Sequence, residues 1–98
     1  MAAEQIQHVL VVGAGTMGQQ IAWQCAAHGF DVTLTDVDPA ALARAATAIA
    51  GFAGSAAAAG RLSADAAAAA LARLRSTTEP DTSTVDLVSE TVYEDPAL

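Results

Sequence analysis

The chain has 98 residues, 53% of them apolar and 26 of them alanine, and a formal charge of −7. That length suits one domain burying about 60 to 65% of the surface its unfolded form exposes, with a core of small side chains, since only Trp23, Phe30, Phe52 and Tyr93 are aromatic. Four arginines and no lysine leave nothing to neutralise a row of phosphates, so no nucleic-acid partner is expected.

Ile6 to Val12 (IQHVLVV) is a short, β-branched, nearly continuous apolar run ending at glycine, the pattern of a parallel strand buried on both faces. From Thr16 to about His28 the apolar positions Met17, Ile21, Ala22 and Cys25 recur at spacings of three and four, and Gly29 stands where a helix stops. Asp31 to Asp36 (DVTLTD) is a second strand, and a right-handed crossover makes it the parallel neighbour of the first. Asp38 before Pro39 starts a helix that the alanine-rich segment propagates to about Ala59, with Gly51 and Gly54 weakening its far end. Gly60 breaks it. Ser63 caps a further helix running to about Leu74, whose negative end Arg73 and Arg75 would favour, giving a helical hairpin. Ser76 to Glu79 reads as a short strand, Pro80 to Thr84 as loop, and Val85 to Val92 (VDLVSETV) as the next parallel strand.

No basic segment precedes an apolar stretch at the N-terminus, and the alanine tracts are broken by Gly and Ser, so neither a signal peptide nor a membrane span is expected. A single cysteine, Cys25, excludes an internal disulfide and a thiolate zinc site, which suits a reducing compartment; the cytoplasm is the expected location. Cys25 reads as a small core residue, Trp23 as packed at an edge or interface, and His8 and His28 as solvated surface residues at the remote ends of their elements.

Gly13-Ala14-Gly15-Thr16-Met17-Gly18 matches GxGxxG between a strand and a helix. Gly13 permits the tight turn, Gly15 removes the side chain that would block a pyrophosphate, and Gly18 lets the helix pack closely on the sheet. The free N–H groups near Thr16 and Met17 face that pyrophosphate, where the helix dipole favours negative charge. At the end of the second strand stands Asp36, 23 residues after Gly13. A carboxylate there accepts hydrogen bonds from the adenosine ribose and repels a 2′-phosphate, which selects NAD over NADP. Its bland alternative is a solvated carboxylate capping a turn, but Asp38 beside Pro39 is the better cap. The fold class is therefore α/β, a Rossmann-type parallel sheet with a helical hairpin insertion. Glu94 lies beside the nicotinamide half of the cofactor if Val85 to Val92 is the fourth strand, or else is an exposed acid in a terminal tail.

The order of GAGTMG, Gln19-Gln20-Ile21-Ala22, the strand-end pair from Asp36 to Pro39, the Gly60-Arg61-Leu62 turn, and DLV-x-E-x-V-x-E from Asp86 to Glu94 resembles the NAD-binding domain of the 3-hydroxyacyl-CoA dehydrogenase family. The resemblance covers nearly the whole chain. It implies NAD-dependent oxidation of an L-3-hydroxyacyl thioester, as in fatty acid metabolism, with Asp36 on the adenosine ribose and Glu94 on the nicotinamide ribose. It also implies that residues 1–98 hold only about the first four strands, the catalytic groups and C-terminal domain lying outside them; no catalytic residue is nominated. The chain departs from the family at Gln20, where a small residue is usual, and in a closing strand bearing Ser89 and Thr91. The hairpin from Gly51 to Gly60 is neutral, with only Arg61 after it, which favours a second reading: a dehydrogenase of a free hydroxy or sugar acid. A third reading is a stand-alone NAD-binding module. Self-association through the unpaired sheet edge or the apolar hairpin is a further expectation.

Overall fold

A computed structural model of the chain describes residues 6–90. In chain order these form β1 (His8–Val12), α1 (Thr16–Ala27), β2 (Asp31–Thr35), α2 (Pro39–Ala58), α3 (Ala64–Ala72), β3 (Leu74–Thr77) and β4 (Leu87–Glu90). The strands make one parallel sheet in the order β3-β2-β1-β4. The α/β Rossmann-type fold is thus present, with β1 and β2 adjacent as the crossover rule requires.

One face of the sheet is apolar and carries the helices. Val9 and Val11 of β1 lie in register with Val32 and Leu34 of β2, and all four are buried against Ala22, Trp23 and Ala26 of α1. The buried stripe of α2, Leu42, Ala45, Ile49, Ala53 and Ala56, is spaced by three and four residues, as a helix face requires. Alanine at most of these positions lets the helices approach closely. Among the described residues α2 alone is long and apolar enough to cross a bilayer by length and composition, and its buried stripe belongs to the core.

The caps of α2 and α3 are as expected. The Asp38 carboxylate accepts from the Ala40 N–H at 2.9 Å, and the Ser63 hydroxyl accepts from the Ala66 N–H at 3.0 Å. Gly51 and Gly54 do not shorten α2. Gly29 and Gly60 end their helices with φ of +100° and +75°, conformations that an L side chain strains.

Several boundaries and contacts differ from the sequence reading. In α1 the inward positions are Gly18, Ala22, Trp23 and Ala26, one residue round from the expected stripe, so Met17 is exposed and Trp23 belongs to the core rather than an edge. α3 stops at Ala72 because the Arg73 carbonyl already accepts from the Val32 N–H, which draws Leu74 into an extended strand beside β2. β3 therefore begins two residues before Ser76. The arginines do not serve the end of α3: the Arg73 guanidinium donates to the Ala26 carbonyl at 2.8 Å, capping α1, while Arg75 stands in β3 opposite Thr33. The described part of the closing strand begins at Leu87 rather than Val85.

The opposite face of the sheet bears His8, Leu10, Thr33 and Thr35. Since β3 and β4 occupy opposite edges, residues 78–86 must cross β2 and β1, a span of about 14 Å at ordinary strand spacing. His8 ties this crossing down and is no solvated surface residue. Its Nε2 lies 2.8 Å from the Thr33 hydroxyl, and its Nδ1 lies 3.1 and 3.2 Å from the Thr84 hydroxyl and carbonyl oxygens. With Nδ1 protonated, the ring donates to the Thr84 carbonyl and accepts from Thr33. Beside it, the Asp86 carboxylate accepts from the backbone N–H of Gln7 and of His8, and both bonds lower its pKa. Replacing His8 with Ala removes the partner of the buried Thr33 hydroxyl, at a cost of about 1 to 3 kcal/mol. Thermal unfolding followed by circular dichroism should show a midpoint lower by about 5 °C or more; an unchanged midpoint would contradict the role given to His8.

Candidate dinucleotide-binding site

β1 leaves the sheet at Val12, and Gly13 turns the chain with φ of +106°, a conformation glycine adopts without strain. The Gly13 N–H donates to the Thr35 carbonyl at 2.8 Å, so the loop begins fastened to the end of β2. Ala14 is buried, and its N–H donates to Asp36 Oδ2 at 2.9 Å. Gly15, Thr16 and Met17 are exposed, and Gly18 is buried against the sheet.

The N-terminus of α1 differs in kind from those of α2 and α3. Its N-cap is Gly15, no side chain caps it, and its first turn holds no acid. The N–H groups of the first turn have no partner within a helix, and the dipole adds partial positive charge. In a chain of charge −7 this is a local site for an anion. Gly15 is explained by such a ligand: its φ of −74° suits any residue, and a Cβ built there meets no atom of the described residues within 4 Å. Neither backbone strain nor packing among the described residues demands glycine at this position, whereas the approach of a phosphate does. The residues present therefore fit the pyrophosphate of a dinucleotide.

Asp36 sits at the end of β2 with both carboxylate oxygens engaged. Oδ2 accepts from Ala14 and Oδ1 from the Asp38 N–H, each at 2.9 Å. These two bonds, the Ala14 one foremost, hold its pKa below the usual carboxylate value. Since the folded pKa is the lower one, the stabilisation is complete above about pH 4 and is lost as pH falls through the folded value. Each oxygen keeps a second lone pair, so the carboxylate can still accept two hydroxyl protons. The alternative of a turn cap is thus partly realised, while Asp38 caps α2.

Val37 and Met17, 94% and 65% exposed, are apolar side chains next to this acid and this loop. The C-terminal ends of β1 and β4 lie side by side, Val12 in register with Glu90, so the loop opens at the point where the strand order reverses. Glu94 lies outside the described residues. An open groove of about 550 Å³ runs from Met17 along Gln20, Ile21 and Gln24 to Phe52, Ser55 and Arg61 of the hairpin. Cys25 also lines it, its thiol pKa raised by burial. Sequence reasoning named Gln19 only within the stretch that carries the resemblance and gave it no role; its side-chain amide donates to the Ala14 carbonyl at 3.1 Å. His28 bonds back to the Gln24 carbonyl, far from the loop. Replacing Gly15 with Ala should move the thermal midpoint by less than about 4 °C, as expected for a Cβ in open space. A large drop would contradict the reading of Gly15 as ligand space.

The family model of the 3-hydroxyacyl-CoA dehydrogenase NAD-binding domain matches residues 8–98. Among solved structures, the chain is similar to a 3-hydroxybutyryl-CoA dehydrogenase from Escherichia coli, with 37% identity and a TM-score of 0.86 over 93% of this chain and 20% of that one. It is similar to M. tuberculosis FadB2, at 38% identity and a TM-score of 0.86 over 94% of this chain and 33% of that one. A diketoreductase matches at 35% identity and a TM-score of 0.80, over 92% of this chain and 33% of that one. A comparison with curated protein sequences gives no match. The chain thus spans between a fifth and a third of the length of the solved proteins it resembles. With a glycine loop open to a pyrophosphate and an ionised acid at the next strand end, the chain belongs to the NAD-binding domain family of the 3-hydroxyacyl-CoA dehydrogenases.

Proposed function

We propose that this chain is the cofactor-binding part of an NAD-dependent dehydrogenase that oxidises an L-3-hydroxyacyl thioester to its 3-keto form, a reaction of fatty acid metabolism, in the cytoplasm. The single observation behind it is the joined pair of an uncapped, side-chain-free helix start at Gly15 and the Asp36 carboxylate bonded to the same loop. The N–H groups of Gly15, Thr16 and Met17 bind the pyrophosphate, and Gly18 keeps α1 close to the sheet. Asp36 accepts the adenosine ribose hydroxyls through its remaining lone pairs and repels a 2′-phosphate. Val37 offers apolar surface beside that ribose, and Glu94 is the proposed contact to the nicotinamide ribose. NAD, when bound, accepts the hydride from the substrate carbon.

The groove that starts at Met17, next to the glycine loop, and ends at Arg61 is a fitting place for part of a long substrate with an anionic end. The general base that takes the hydroxyl proton must reach the substrate oxygen. His8 and His28 lie at the far ends of β1 and α1 and are engaged elsewhere, so the base is assigned to no described residue.

The neutral hairpin favours a second reading, a substrate without CoA such as a free hydroxy acid, for which Arg61 would be the sole nearby cation. Calorimetric titration of the chain with NAD and NADP tests the cofactor assignment. NAD should bind the more tightly, and Asp36→Ala should weaken NAD by about tenfold, the order expected for bonds to a charged group, while changing NADP much less. Equal losses for both cofactors, or tighter NADP binding to the unaltered chain, would contradict it. Calorimetric binding of 3-hydroxybutyrate but not of its CoA ester, abolished in Arg61→Ala, would favour the second reading.

A further inference from the structure

We infer that Gln19 is a positioning residue of the pyrophosphate site, a reading that rests on the cofactor assignment above: its side chain fixes the direction in which the Gly15 N–H points. Four consecutive peptide groups lead from β1 into α1, and each is held at one end. The Val12–Gly13 group is held through the Gly13 N–H on the Thr35 carbonyl, and the Gly13–Ala14 group through the Ala14 N–H on Asp36. The next two are both held by Gln19. Its Nε2 donates to the Ala14 carbonyl at 3.1 Å, and its backbone N–H donates to the Gly15 carbonyl at 2.9 Å.

In a trans peptide the C=O and N–H point in opposite directions, and the chain has no cis bond among its described residues. Holding the Ala14 carbonyl therefore aims the Gly15 N–H away from Gln19, and holding the Gly15 carbonyl aims the Thr16 N–H. The second bond is an ordinary helical one that any residue at position 19 would make. The first depends on the side-chain amide.

That bond answers a weakness created by glycine itself. Gly15 must lack a Cβ for a phosphate to approach, yet glycine loses the most conformational freedom when it is ordered. Without an anchor on the Ala14 carbonyl, the Ala14–Gly15 peptide can tilt, and each binding event would have to reorder it. Gln19 meets that cost in the folded chain, before the ligand arrives. The donated hydrogen bond also polarises the same peptide group, strengthening the Gly15 N–H as a donor.

The test uses Gln19→Met, which keeps side-chain length and helix propensity and removes the donor, together with Gln19→Glu. In amide NMR spectra without ligand, the Gly15 nitrogen resonance should move in Gln19→Met while Gly29 and Gly60 stay in place, which shows the fold retained. NAD affinity measured by calorimetry should fall by about five- to tenfold, the worth of one preorganised hydrogen bond. Gln19→Glu should lose more at neutral pH, where a carboxylate faces the carbonyl and the phosphates, and should regain part of the loss near about pH 5 as its carboxyl protonates and donates. An unmoved Gly15 resonance, or NAD affinity in Gln19→Met within about twofold of the unaltered chain, would overturn the role of Gln19. Absence of NAD binding to the unaltered chain would instead overturn the cofactor assignment, and the Gly15 resonance would still decide whether Gln19 holds the peptide.

Discussion

The hydrogen bond from the Ala14 N–H to the Asp36 carboxylate joins the two ends of the site. It ties the turn leaving β1 to the residue leaving β2, so that the acid meant for a ribose and the loop meant for a pyrophosphate form one rigid piece. The bond is charge-assisted, and it lowers the pKa of the acid, which keeps Asp36 ionised in the range where it must accept hydroxyl protons and repel a 2′-phosphate. One interaction thereby sets geometry and cofactor preference together. The Gly13 N–H on the Thr35 carbonyl, one residue earlier, gives the turn its second attachment to the same strand.

Holding that loop requires a firm platform, and this chain builds one mostly from alanine and valine. The four sheet residues Val9, Val11, Val32 and Leu34 are matched across β1 and β2, and small side chains on all three helices allow close approach to them. Arg73 then compensates for the shortage of large apolar groups with a polar tie, linking the end of the hairpin to the carbonyl end of α1. α1 is consequently fixed at its far end by Arg73, along its length by Ala22, Trp23 and Ala26, and at its start through the Gln19 and Asp36 side chains on the Ala14 peptide groups. Its start, with no capping side chain, is left open to a ligand.

What could be read from the sequence followed physical signals that are local. GxGxxG between a strand and a helix, Asp38 before Pro39 and Ser63 after a glycine each act within a few residues, and these, with Asp36 at the end of its strand, were placed correctly. The errors arose where distant segments compete for the same backbone. Leu74 looks like the last turn of a helix until β2 claims the Arg73 carbonyl. His8 looks solvated until the connection between β3 and β4 crosses the sheet and brings Thr84 against it. Met17 and Trp23 exchanged roles because a one-residue rotation of α1 decides which of them faces the sheet, and the weak amphipathicity of this helix leaves that rotation to tertiary packing. The role of Gln19 was missed for a different reason: its contact is with a carbonyl five residues back, in a loop whose shape glycine leaves unspecified.

The central claim is that the start of α1 and the end of β2 form a prepared cradle for NAD. Titrating NAD into the isotopically labelled chain and following backbone amides by NMR addresses it most directly. The account predicts that the largest shifts fall on Gly15, Thr16, Met17 and the neighbours of Asp36, saturating together. Shifts concentrated instead around Phe52 and Arg61, with the glycine loop unmoved, would contradict it.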